Sequence, residues 1–226
     1  MIKAILFDVD NTLINFWKMK TECCKAAIDA MISAGLKMSR DEALKLIFEL
    51  FEVYGVESQR IFQQFTKKIY GKENYKLIAH GVIAYRKMRE SYLVPYRNVI
   101  PTLIELKKKY QLAIVSDAPI MEAWMRIATM GLDPFFDTVV TMADARKQKT
   151  YAAPFKVALK KLGILPEEAI MLGDRIARDV ETAKKLGITT VYARYGDENP
   201  PEKGKSGADF EISDISEMLD VVKKIG

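Results

Sequence analysis

Four short apolar runs constrain the fold of this chain more than any other feature, each stopped by a polar residue or a turn. They are Ala4 to Phe7 before Asp8, Leu112 to Val115 before Ser116, Ala169 to Leu172 before Gly173, and Ile188 to Ala193. Runs that are apolar throughout, instead of alternating, suit strands buried on both faces. The last three each follow a helical pattern, over Val99 to Tyr110, Pro154 to Leu162 and Asp179 to Leu186. Gly163 and Gly187 stand where a helix end favours a left-handed residue. This alternation predicts an α/β fold with a mostly parallel sheet covered on both faces.

Between about residues 15 and 93 the strand signal disappears. Phe16 to Ala34 is a long helix-periodic segment, Ser39-Arg-Asp-Glu42 reads as a capping box opening a helix to about Val53, and further helices are predicted over Ser58 to Tyr70 and Asn74 to Tyr92. Four helices inserted after the first strand make a small α-helical domain of residues 15–93. The core is then 1–14 with 94–226, entered through the extended hinge around Pro95. Asn199 to Gly207 reads as an irregular loop.

Composition excludes several classes of chemistry. The single histidine, His80, leaves nothing for a His-rich zinc site or a Ser-His-Asp triad, and gives the adjacent Cys23 and Cys24 little to form a Cys-His nucleophile. Adjacent cysteines on a helix are also badly placed to bridge each other, so packing is the expected role. The net charge is +5, yet the lysines fall in small groups near predicted helix ends, where they complement the helix dipole. No nucleic acid is therefore expected as a partner. No run approaches the roughly 18 apolar residues of a membrane span, so no membrane partner and a cytoplasmic location are expected.

The chemistry gathers at the strand ends. Asp8 and Asp10, spaced i and i+2, share one face of an extended chain. Acids delivered by a buried strand are costly unless a cation compensates them, and a divalent cation is the usual answer. Ser116 and Asp117 end the second apolar run, Asp174 ends the third with Asp179 five residues on, and Lys149 stands in the loop before the helix at Pro154. In open parallel sheets ligands bind outside these carboxyl ends. Such residues suit phosphoryl transfer: Asp8 as nucleophile, Asp10 as proton carrier, and Asp8 and Asp174 with the main-chain carbonyl of Asp10 around Mg²⁺. Ser116 and the amides after Asp8 would donate to phosphoryl oxygens, Lys149 would neutralise charge, and Thr12 and Asp117 are the neighbouring phosphate-binding candidates.

Together Asp8-Val-Asp10-Asn-Thr12, Ser116, Lys149 and Gly173-Asp174-Arg-Ile-Ala-Arg-Asp179 resemble, in order and over nearly the whole chain, the haloacid dehalogenase superfamily. The branch resembled is that of phosphatases with a helical cap inserted after the first core strand. That resemblance implies a Rossmann-like three-layer core, an aspartyl-phosphate intermediate, Mg²⁺, and a small-molecule phosphate monoester as substrate, of the sugar phosphate, phosphoglycolate or nucleotide class. The enzyme is expected as a monomer or homodimer. Asp179 is expected to orient metal ligands or water and not to bind the ion itself, and Asn15 and Trp17 are the cap-side substrate candidates. Two departures stand out: Thr150, where proline commonly follows the motif lysine, and Arg175, where a small hydroxyl residue is frequent. A 2-haloacid dehalogenase is the alternative enzyme, disfavoured by Asp10 because no alkoxide there needs a proton. A receiver-like binding protein is the non-catalytic alternative, disfavoured by length and by the helical insertion.

Overall fold

The computed structural model describes residues 1–225. In chain order the elements are β1 (Ala4–Phe7), α1 (Phe16–Ser33), α2 (Arg40–Tyr54), α3 (Ile61–Tyr70), α4 (Tyr75–Tyr92), α5 (Val99–Lys107), β2 (Gln111–Ser116) and α6 (Ile120–Thr129). They continue with β3 (Thr138–Thr141), α7 (Met142–Ala145), α8 (Ala153–Leu162), β4 (Ala169–Gly173), α9 (Glu181–Lys185), β5 (Thr189–Ala193), β6 (Phe210–Ile212) and α10 (Met218–Ile225). The chain forms two compact units, Phe16–Leu93 and a second made of Met1–Asn15 with the stretch from Val94 onward.

In the second unit six parallel strands run in the order β3-β2-β1-β4-β5-β6. β1 lies between β2 and β4, with Ala4 level with both Gln111 and Ala169. Strand order reverses between β1 and β4, which opens the crevice that α/β sheets use for ligands. Side chains alternate along β1. Ala4 and Leu6 join Phe155, Ala158 and Leu162 of α8 and Ala183 of α9 in one core, while Ile5 and Phe7 are equally buried and face the other way. On that side α5 packs against β2 and α10. The uniformly apolar strands thus match the α/β, Rossmann-like three-layer expectation.

β3 and β6 are strands that the apolar-run criterion does not find. Thr138-Val-Val-Thr141 begins and ends in threonine, and Phe210-Glu-Ile212 has only three residues, both at positions toward the sheet's edges. The helix expected over Asp179 to Leu186 is also modified. A π-helical turn, Ile176–Val180, precedes α9 and carries Asp179 inside it.

The Phe16–Leu93 unit is helical throughout and builds its own core from Ala27, Ile28, Met31, Ile47, Phe62, Phe65 and Leu77, among others. Ser39 caps α2 as a full capping box with Glu42, as its spacing predicts. Cys23 and Cys24 are buried on α1, and burial pushes their thiols up to about 11 and about 12, so they stay protonated packing residues. His80 is exposed on α4. No helix among the described residues is long and apolar enough to cross a membrane.

Candidate active site

The carboxyl end of β1 turns sharply. Asp8 leaves the strand with its amide still bonded to the Leu172 carbonyl of β4 at 2.9 Å, and the Thr12 and Leu13 amides then return to the Val9 carbonyl at 3.3 and 2.9 Å. Asn11 takes the left-handed conformation, φ 59°, that this turn requires and that asparagine tolerates. Across the crevice, β4 ends in Gly173 and delivers Asp174.

Lys149 ties these ends together. Its side chain, 2% exposed, places Nζ 2.6 Å from Asp8 Oδ1 and 2.6 Å from Asp179 Oδ1. Burial alone would lower its pKa, but the Asp179 and Asp8 charges override that and raise it, so the ammonium stays charged. The loop that carries it is fastened by Asp117, whose Oδ1 accepts from the Lys149 amide at 2.8 Å and whose Oδ2 lies 3.3 Å from Arg178 Nη1. The Asp117 side chain is thus engaged by the lysine loop and by Arg178.

Carboxylate oxygens of Asp8, Asp174 and Asp179 lie within 4.8 Å of one another, and all three residues are buried. Asp179 is brought there by the π-turn: its Oδ2 accepts from the Arg175 amide at 3.0 Å. It also packs so closely on Gly173 that any Cβ there would overlap its carboxylate. Burial, then the neighbouring Asp8 and Asp179 charges, push the Asp174 carboxyl up to about 9. Burial also lifts Asp179 to about 6, against the pull of Lys149. With all three acids ionised, one ammonium would leave the trio short of positive charge by the amount a divalent cation supplies, and its all-oxygen donors suit Mg²⁺.

The remaining expected residues are placed as follows. Ser116 is buried at the end of β2, where its hydroxyl oxygen accepts from the Ala118 amide at 3.1 Å, which leaves the hydroxyl its own hydrogen to donate. The Thr12 hydroxyl points at Asp174 Oδ1, 3.4 Å away, so it supports an acid of the trio. Asp10's carboxylate is gripped by Arg126 Nη1 at 2.5 Å. Asn15 is exposed at the end of its unit; Trp17, in the first turn of α1, is half-buried with its ring edge-on to Phe16 at 5.5 Å. Arg175 is exposed beside Asp174.

Three residues near this turn carry no motif signal in the sequence. Arg126 comes from the middle of α6. Tyr195 donates its hydroxyl to the Thr12 carbonyl at 2.8 Å and stacks edge-on against Tyr96 at 5.3 Å. Gly196 lies so near Asn11 that a Cβ would overlap its carbonyl. A Tyr-Gly pair after a strand is too common to single out, and only the fold brings it to the β1 turn.

The geometry meets its counterpart among known proteins. The model of the haloacid dehalogenase-like hydrolase family matches residues 5–193 of the chain. The chain belongs to that family. A relative from Methanopyrus kandleri named glyceraldehyde 3-phosphate phosphatase is 36% identical, covering 100% of this chain and 99% of its own. One of the same name from Methanocaldococcus jannaschii is 33% identical, with 100% and 99% covered. Among solved structures, a haloacid dehalogenase-type phosphatase from Thermococcus onnurineus superposes with a TM-score of 0.72 at 28% identity over 98% of both chains. This haloacid dehalogenase-like hydrolase thus belongs to the family that the four ordered motifs resemble.

Proposed function

We propose that this enzyme is a phosphatase that hydrolyses a small phosphorylated metabolite through an aspartyl-phosphate on Asp8. The observation that carries the reading is the fully buried Lys149 shared by Asp8 and Asp179, with Asp174 completing a trio of acids around one ammonium. The ammonium holds the Asp8 carboxylate in one orientation through Oδ1, as attack on phosphorus needs. As the Asp8–phosphorus bond forms, the bond to the leaving oxygen breaks, and Asp10 supplies the proton that turns the alkoxide into an alcohol. Asp10 then takes a proton from the water that releases phosphate.

Asp8, Asp174 and the Asp10 main-chain carbonyl are the ligands proposed for Mg²⁺, with Asp179 adjoining them; the ion would supply charge neutralisation between nucleophile and phosphate. The Ser116 hydroxyl is a donor to the phosphoryl oxygens. Two full-length relatives named glyceraldehyde 3-phosphate phosphatase point to a three-carbon sugar phosphate as the substrate class. In this reading Asn15 and Trp17 act in substrate selection.

The test is phosphate release from a panel of phosphorylated metabolites that includes glyceraldehyde 3-phosphate, with Mg²⁺ and with EDTA. Metal-dependent release, greatest on a three-carbon substrate, is expected. Absence of release from every phosphate ester in Mg²⁺ would overturn the reading.

A further inference from the structure

We infer that Arg126 is the positioning residue of Asp10, resting on the acid/base reading of Asp10 above. Arg126 lies on α6 with its side chain 2% exposed, and its Nη1 stands 2.5 Å from Asp10 Oδ2, across 116 residues of sequence. Asp10's side chain is 24% exposed, although its Oδ1 is itself buried, and Arg126 holds the other carboxylate oxygen. Glu122, one turn earlier on the same face of α6, is also buried.

A buried guanidinium is expensive. Desolvation costs several kcal/mol per ion, and well-packed apolar residues commonly replace such pairs with no loss of stability. The other buried residues of that face, Ala123 and Ile127, show that α6 can be covered by apolar side chains. The arginine is therefore best explained by what it does to the carboxylate. Aspartate has two soft torsions, and a planar, charged donor fork holds one oxygen in a fixed direction far better than water does. Misplacement of a reacting group by about 1 Å is enough to cost on the order of 100-fold.

The step affected is proton delivery. Asp8 forms its bond to phosphorus, the bond to the leaving oxygen breaks, and the proton moves from Asp10 to that oxygen. A nitrophenolate leaves without a proton, whereas phenolate is helped by one. The readout is kcat/KM in Mg²⁺ for p-nitrophenyl phosphate against phenyl phosphate, a ratio that excludes the later dephosphorylation step. Arg126→Met is expected to lose on the order of 100-fold on phenyl phosphate and less than about tenfold on p-nitrophenyl phosphate, the pattern expected of Asp10→Asn as well. The double variant should lose no more than Asp10→Asn alone, because the arginine acts only through that carboxylate. Arg126→Lys keeps charge and solubility and should show the same selectivity at about one tenth of the size, so it carries the test if the methionine variant does not fold. Equal losses on the two substrates, or additive losses in the double variant, would mean a structural role and overturn the inference. If Asp10→Asn itself shows no leaving-group selectivity, the acid/base reading falls. If it does and the Arg126 variants do not, only the arginine assignment falls.

Discussion

At the scale of single residues the account rests on unequal duties for acids that look alike in the sequence. Asp8 is bonded to Lys149, Asp10 to Arg126, and Asp174 and Asp179 share the buried trio with Asp8. Asp8→Asn should therefore abolish turnover, measured as phosphate release, while the thermal midpoint changes by only a few degrees, since the isosteric amide keeps the packing. Charge in the trio also sets a pH dependence. Asp174 is held near 9 in the fold against an ordinary 3.8. Between those values the unfolded chain has lost the proton and the folded chain keeps it, so stability falls as pH rises through that window and levels off above it. Without divalent cations the thermal midpoint should decline from about pH 5 to pH 9, and Mg²⁺ should raise it more at the alkaline end. A midpoint equally insensitive to Mg²⁺ at both pH values would contradict this charge deficit. The strand-end acids, Ser116 and Lys149 were legible because their chemistry is carried by residue type at fixed spacing. Arg126 was not, because a lone arginine in an amphipathic helix looks like any surface arginine until α6 is seen to place it against Asp10.

Elements explain why these residues meet. The β1 turn is braced from the loop after β5, where Tyr195 donates to the Thr12 carbonyl and Gly196 leaves room for the Asn11 carbonyl. Tyr195→Phe removes one hydrogen bond and should cost about 1 kcal/mol in stability by denaturant titration. Gly196→Ala, which forces the Asn11 carbonyl aside, should cost more than Tyr195→Phe and depress kcat along with stability. A Gly196→Ala enzyme with wild-type kcat would show that the turn does not need this brace. The π-turn Ile176–Val180 acts likewise by carrying Asp179 onto Gly173 and Lys149. That single extra residue in the turn is invisible to helix periodicity, which is why Asp179 reads in the sequence as the start of an ordinary helix. β3 and β6 escape the apolar-run pattern for a related reason. A strand of three or four residues with polar ends has too few positions to express a pattern.

For the whole molecule, the legible part was the alternation of apolar strands and helices and its interruption by a purely helical stretch. Both follow from burial: strands covered on both faces must be apolar throughout, and a unit with its own core must repeat with helical period. Strand order was not legible, since residues far apart in the chain meet only through the sheet, as when Ala4 aligns with both Gln111 and Ala169. The central claim is that this assembly delivers Asp8 as a nucleophile. Its most direct test is to quench the enzyme during turnover with Mg²⁺ and substrate, reduce the protein with borohydride, and read residue 8 by peptide mass spectrometry. The account predicts substrate-dependent conversion of Asp8 to homoserine, the mark of an acyl phosphate. An actively turning-over enzyme with residue 8 unmodified, or with the label on another residue, would contradict it.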